Sequence, residues 1–199
     1  GMRMKNTFYL LLFWLGLSLK VPAQAIWSAD FPFAGELPSN EMTELYQDED
    51  GFVWIGTTNG LSRYDGYRLQ TFQTDYLHPN RLTHNHITCI AEDSAYLWIG
   101  TRKGLNLIDK RTYRITTPGE APLQTAHIRS LCSDGKNRIW IALNDRLLES
   151  RFPYHEYTST NLPSPNGKPS YINSFFYEKG KERLWICTSN GIFVYTDST

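Results

Sequence analysis

Four carboxylates recur along the chain, Asp48, Asp93, Asp134 and Glu178, and each precedes a tryptophan: Trp54, Trp98, Trp140 and Trp185. Paired carboxylates do general acid–base work or bind hard cations. These come one per repeat, so symmetry keeps them apart, and their expected task is to cap N–H groups of turns. His84-Asn85-His86 has the look of a metal pair, but no carboxylate or cysteine adjoins it, and it reads as a loop. Cys89, Cys132 and Cys187 match no zinc spacing and fall on strand positions, where a thiol serves as a small apolar filler. No catalytic group, metal site or cofactor is assigned. The remaining chemistry-bearing set is Asn40, Asn59, His84, Asn85, Arg102, Lys103, Asn144, Arg146, Tyr171 and Asn190. Amide, imidazole and guanidinium groups of this kind suit sugar hydroxyls and carboxylates, and Tyr76, Tyr154 and Tyr157 could stack on sugar rings.

The elements that position these groups follow from an internal repeat. The four tryptophans lie 44, 42 and 45 residues apart. They sit in Phe52-Val-Trp-Ile-Gly-Thr57, Tyr96-Leu-Trp-Ile-Gly-Thr101, Arg138-Ile-Trp-Ile-Ala-Leu143 and Arg183-Leu-Trp-Ile-Cys-Thr188. Two residues past each Trp stands a small side chain: Gly56, Gly100, Ala142 or Cys187. A second block precedes each Trp, opening on Met42, Ile87, Ile128 or Ile172, and ends in the carboxylate. Between carboxylate and Trp lie five, four, five and six residues; within the two blocks length varies only there, as expected of a hairpin turn. A further breaker, at Gly60, Gly104 or Gly191, leads into a third strand. Four short strands per ~44 residues is the period of a β-propeller blade. Each Trp should pack between neighbouring blades, with the small residue leaving room for the next blade. Arg146 and Leu143 replace the Gly and Thr of the third unit, which predicts an irregular turn there.

The expected architecture is therefore all-β, with about four blades of four antiparallel strands at 41–72, 86–115, 127–152 and 171–197. In a propeller the inter-blade loops and the turns between second and third strands share one face, which gathers the polar set named above.

The stretch Gln47-Asp-Glu-Asp-Gly-Phe-Val-Trp-Ile-Gly-Thr-Thr-Asn-Gly-Leu-Ser-Arg-Tyr-Asp-Gly-Tyr67 resembles the repeat of the two-component regulator propeller family. Looser copies run on to Tyr195. The resemblance implies the periplasmic sensor region of a hybrid two-component system of Bacteroidetes such as Bacteroides. In such sensors, seven-bladed propellers and a β-sandwich precede a membrane helix and a histidine kinase, and oligosaccharides switch on polysaccharide-utilisation genes. It further implies a partial propeller of a seven-bladed parent, C-terminal propeller, sandwich and kinase parts as partners, and a homodimer.

Residues 1–25 read as a leading tag residue, Gly1, and a signal peptide: Arg3 and Lys5, an apolar run from Phe8 to Leu19, then Ala23-Gln24-Ala25. Localisation is then periplasmic, and Trp27 is expected to brace the propeller. With 20 Lys+Arg against 20 Asp+Glu and no basic block, nucleic acid is not expected as a partner. A hydrophobic share of 41% excludes a disordered chain. The reading is a sensor that is not an enzyme; the alternatives are a protein-interaction propeller without small ligand and a propeller glycan lyase or hydrolase.

Overall fold

The structure is a computed structural model and describes residues 30–75, 77, 80–144 and 146–196. The expected signal peptide, Trp27 and Tyr76 lie outside the described residues. Two units separate after Pro32, and every strand described belongs to the second, Phe33–Thr199.

Four antiparallel sheets follow one another in chain order. The first contains β1 (Met42–Gln47), β2 (Val53–Thr57), β3 (Gly60–Tyr64) and β4 (Leu69–Phe72). The second contains β5 (Ile87–Glu92), β6 (Tyr96–Thr101), β7 (Gly104–Asp109) and a two-residue β8 (Ile115–Thr116). A short helix, α1 (Ala121–Thr125), precedes the third sheet: β9 (Ser130–Ser133), β10 (Arg138–Ala142), β11 (Arg146–Arg151) and β12 (Tyr157–Asn161). The fourth holds β13 (Ile172–Glu178), β14 (Arg183–Thr188) and β15 (Gly191–Thr196). Strands β1, β5, β9 and β13 are neighbours in that order, so the sheets stand side by side as the blades of a partial propeller.

Two details differ from the sequence expectation. The fourth sheet has three strands among the described residues, not four. The third extends to Asn161, past the expected end at 152, because Tyr157-Thr-Ser-Thr-Asn161 pairs with β11 although it lacks apolar alternation. It is an edge strand with exposed side chains, so backbone bonding alone defines it.

Each junction between blades has its own apolar core. Trp54, Leu61 and Phe72 of the first blade pack with Ile87, Ile90, Leu97 and Ile99 of the second. Trp98, Leu105 and Leu107 meet Ile128, Leu131, Ile139 and Ile141. Trp140, Ala142 and Leu147 meet Ile172, Leu184 and Ile186. Burial on both faces explains why the second strands are continuous apolar runs. The small residue is a steric requirement: a Cβ added to Gly56 would lie 2.8 Å from Ile87 Cγ2, and one on Gly100 would lie 2.9 Å from Ile128 Cγ2. The opening aliphatic residue of each blade thus seats in the blade before it.

The recurrent polar residues hold this frame. Asp48 accepts the Phe52 N–H at 2.8 Å and the Trp54 indole N–H at 2.7 Å. Asp93 accepts the Ala95 and Tyr96 N–H groups and the Trp98 indole at 2.6 Å. Glu178 accepts the Trp185 indole at 3.0 Å. Turn capping was legible in the sequence; the bond to the indole was not. Tyrosine hydroxyls clasp adjacent blades through carboxylates: Tyr46 to Glu92 at 3.3 Å, Tyr154 to Asp93 at 2.5 Å, Tyr195 to Glu149 at 2.9 Å. The threonine ending each Trp-Ile-Gly-Thr string closes the next turn. Thr57 Oγ1 donates to Gly60 O at 2.9 Å, Thr101 to Gly104 at 2.6 Å, and Thr188 to Gly191 at 2.8 Å. In the third blade Leu143 has no hydroxyl to offer, yet the strand register carries through, with Ala142 opposite Leu147 and the Leu143 N–H on Arg146 O at 3.1 Å.

Candidate functional site

Backbone bonds bring the two loop sets onto one face. The Thr58 N–H donates to Glu41 O at 3.1 Å, Arg102 N–H to His86 O at 3.0 Å, and Ser189 N–H to Tyr171 O at 3.0 Å. Each ties a turn between second and third strands to the segment that enters the same blade.

A cleft of about 700 Å³ opens on that face beside the loop that joins the first two blades. Thr74, Arg81, Leu82, Thr83, His84 and Asn85 of that loop line it, facing Lys103 of the β6–β7 turn, Ile115, Thr116 and Thr117 around β8, and Gln124 of α1. The described lining offers hydroxyls, amides, an imidazole and two cationic side chains, and no carboxylate. The loop is anchored from below: Thr83 donates its N–H and its hydroxyl to Asn106 Oδ1, both at 3.0 Å, and Asn106 is wholly buried on β7. A buried amide acceptor bonded twice fixes the loop backbone beside Leu82, which is buried in the core between the first two blades.

Of the ten residues singled out from sequence, three line this cleft: His84, Asn85 and Lys103. Asn59 adjoins them, accepting from the Asn85 amide at 3.4 Å. Both also brace loops, since Asn59 donates to Pro38 O at 3.1 Å and Asn85 accepts the Thr74 N–H at 2.7 Å. Asn190 braces the fourth blade in the same way, donating to Pro169 O at 2.8 Å. Arg102 is exposed, lies within electrostatic reach of His86 and His127, and does not line the cleft. Asn40 is exposed at the entry of the first blade. Asn144 and Arg146 stand exposed at the third turn, with Tyr171 exposed close by, since Asn144 O accepts the Ile172 N–H at 3.2 Å. The structure therefore groups the set blade by blade, and His84, Asn85 and Lys103 line the cleft. Residues not singled out from sequence are Thr74, Arg81, Thr83, Thr116, Thr117 and Gln124, which lie in the connections between the Trp-centred blocks.

The His84-Asn-His86 motif is a local turn, with His84 Nδ1 accepting the His86 N–H at 3.0 Å. Burial, then Arg102 and His84, pushes His86 below the usual imidazole range, against an opposing pull from Glu41. His127 moves the same way through burial, Arg129 and Arg102. Both rings are therefore neutral at pH 7. Among the described residues no three His, Cys, Asp or Glu side chains converge as metal ligands. The inward carboxylate Glu92 is fully engaged by Lys110, the Tyr46 hydroxyl and the Glu49 N–H, which makes it a clasp between blades.

With this geometry in place, the likenesses to known proteins are specific. The two component regulator propeller model matches residues 36–59 and 81–103, the first two blades from loop face to third-strand turn. No curated protein sequence matches the chain. Among solved structures, the extracellular domain of the hybrid two component system BT4673 from B. thetaiotaomicron superposes with a TM-score of 0.65 at 22% identity, covering 81% of this chain and 22% of that one. The corresponding domain of BT3049 from the same organism gives 0.65 at 20% identity, covering 80% and 24%. A catalytically inactive virginiamycin B lyase from Staphylococcus aureus gives 0.56 at 16% identity, covering 80% and 56%. At these identities the likeness concerns fold, and the chain spans 22% and 24% of the two B. thetaiotaomicron domains. Segments of two of its blades match the two component regulator propeller model, and the described residues have the fold of a partial β-propeller, like part of the extracellular domains of those hybrid two component systems.

Proposed function

We propose that the chain is the extracytoplasmic ligand-sensing propeller region of a hybrid two-component sensor, responding to oligosaccharides and thereby regulating polysaccharide-utilisation genes. The repeat match and the fold likeness support the sensor reading. Among the described residues no helix is long and apolar enough to cross a membrane. The loop-face cleft is the observation that carries the ligand class. Its Thr, Asn, Gln and His groups are donors and acceptors in the density that a sugar's hydroxyl ring requires, and Arg81 and Lys103 supply cations for a uronate carboxylate.

Signal transmission belongs to sandwich and kinase parts of the same polypeptide, and localisation is periplasmic. The role is binding without catalysis: among the described residues the buried carboxylates Asp48, Glu92 and Asp93 are engaged by indoles, tyrosines and turns. Isothermal titration with an oligogalacturonide, against a neutral xylo-oligosaccharide of equal length, tests this. The acidic sugar should bind, and Arg81→Ala with Lys103→Ala should weaken it about tenfold, a loss of ~1.4 kcal/mol. Absence of binding to any member of a glycan array would refute the ligand class.

A further inference from the structure

Arg102 and Lys103 stand side by side in the turn between β6 and β7; Lys103 lines the cleft and Arg102 does not. Arg102 is instead set between the entries of two blades. Its N–H donates to His86 O at 3.0 Å, just ahead of β5. On the other side, the segment entering the third blade is bonded to the same turn: the Gly104 N–H donates to Ala126 O at 2.8 Å, and the Ile128 N–H to Thr101 O at 3.0 Å. His127 lies between those two bonds, so one turn sits against both histidine-bearing entries. Further along the entry to β9, Arg129 is fixed by its Nε–H on Ile172 O at 2.7 Å. His86 and His127 lead into β5 and β9, the strands by which the blades adjoin, and both blades have a neighbour on either side.

These side chains act on one another. His127 feels Arg129, Arg102 and His86, and His86 feels Arg102 and His84, with Glu41 opposing them. Glu41 is the carboxylate in reach, on the His86 side, and among the described residues none forms an ion pair with Arg102. Two guanidinium groups and two half-buried imidazoles therefore crowd together with little to balance them. Crowded cationic donors repel, and a bound anion relieves the repulsion. The exposed guanidinium of Arg102 presents a planar fork of N–H donors, which matches the paired oxygens of a carboxylate or sulfate.

We propose that Arg102, His86, His127 and Arg129 form an oxyanion site at the junction of the second and third blades, which takes a sulfate or carboxylate group and binds it more tightly as pH falls. The site is separate from the cleft and stands whether or not the cleft takes a sugar. Its pH dependence runs through the rings. Both are neutral at pH 7, and an anion held beside them favours their protonated forms. Linkage is reciprocal: the anion lifts the ring midpoints, and affinity rises as pH falls through the range in which the rings protonate. Glu41 already draws a proton toward His86, whereas no carboxylate acts on His127, so the His127 midpoint should move further.

NMR titration of the imidazole resonances of the full chain tests this, with sodium sulfate against sodium chloride at equal ionic strength. Sulfate should raise the His127 midpoint by about 1 pH unit and the His86 midpoint by about half a unit, and should bind about tenfold tighter at pH 5 than at pH 7. Arg102→Ala should abolish both movements. Arg111→Ala, an exposed cation between β7 and β8, should preserve them, and the exposed His155 of the third blade should not respond. A sulfated disaccharide that binds more tightly than inorganic sulfate would place the oxyanion on a glycan; equal affinity would make the site one for the free anion. Midpoints that sulfate leaves in place, or that still move in Arg102→Ala, overturn the proposal. Equal movement with chloride, or at His155, overturns it as well, because that is ionic screening alone.

Discussion

The second and third blades bury the same side chain in different polar settings. The indole N–H of Trp98 lies on Asp93 Oδ2 at 2.6 Å, and the same oxygen accepts the Tyr154 hydroxyl reaching back from the third blade at 2.5 Å. The Tyr154 ring meets Trp98 edge-on with centroids 4.8 Å apart. Tyr154 sits in the left-handed region at φ 66°, a cost of order 1–3 kcal/mol that the buried clasp offsets. Burial and the Asp93 carboxylate push its hydroxyl well above the usual phenol range, so it stays a donor. In the third blade Asp134 caps only backbone, taking the Lys136, Asn137 and Arg138 N–H groups. The Trp140 indole N–H is buried with no partner, and Arg138 lies over its ring at 4.4 Å while pairing with Glu149 at 2.8 Å. A repeat sequence conserves the packing of its Trp more strictly than the hydrogen bond of its Trp, because area burial is non-directional and a bond to one oxygen is not.

Removing the carboxylate should separate the two blades most sharply. Asp93→Ala strands a buried indole and a buried phenol together, at ~1–3 kcal/mol for each, and should lower stability by about 3–5 kcal/mol in urea denaturation. Asp134→Ala loses turn caps alone and should cost about 1 kcal/mol; equal losses would abolish the distinction. Next in size, Gly100→Ala should cost about 1–3 kcal/mol by pressing on Cys89 and Ile128. The matching change Cys187→Ala, on the uncovered fourth blade, should stay within ~0.5 kcal/mol for the monomer. A smaller difference is expected from Trp→Phe: Trp140→Phe discards an N–H that bonds nothing, so it should be milder than Trp98→Phe by about 1 kcal/mol. Smallest in energy is a thiol assay at pH 8. Exposed Cys187 should label first, whereas burial pushes the Cys132 thiol up to about 11 and Cys89 to about 12, leaving almost no thiolate. Three equal labelling rates would place the second-blade core in contact with solvent.

The blade count, the hairpins and the role of Gly56 and Gly100 were readable from the chain, because period and residue size are local properties. The cleft was only half readable. Lys103, His84 and Asn85 were singled out from the chain, whereas Arg81 of the same loop, Thr116 of β8 and Gln124 of α1 lie outside the Trp-centred blocks. Strand β12 went unseen because an exposed edge needs no apolar pattern. The expected turn irregularity at Arg146 left the register unaltered, since hairpin pairing is fixed by both strands and tolerates a changed turn residue.

The order of residues by itself determined a row of equivalent antiparallel blades, since four short strands and their turns recurring every ~44 residues are the pattern of a propeller blade. Tertiary structure alone decided which carboxylate meets which indole, which asparagines brace loops, and which blade faces remain bare. Those outcomes depend on groups forty or more residues apart arriving within one hydrogen-bond length, and no local pattern encodes that arrival.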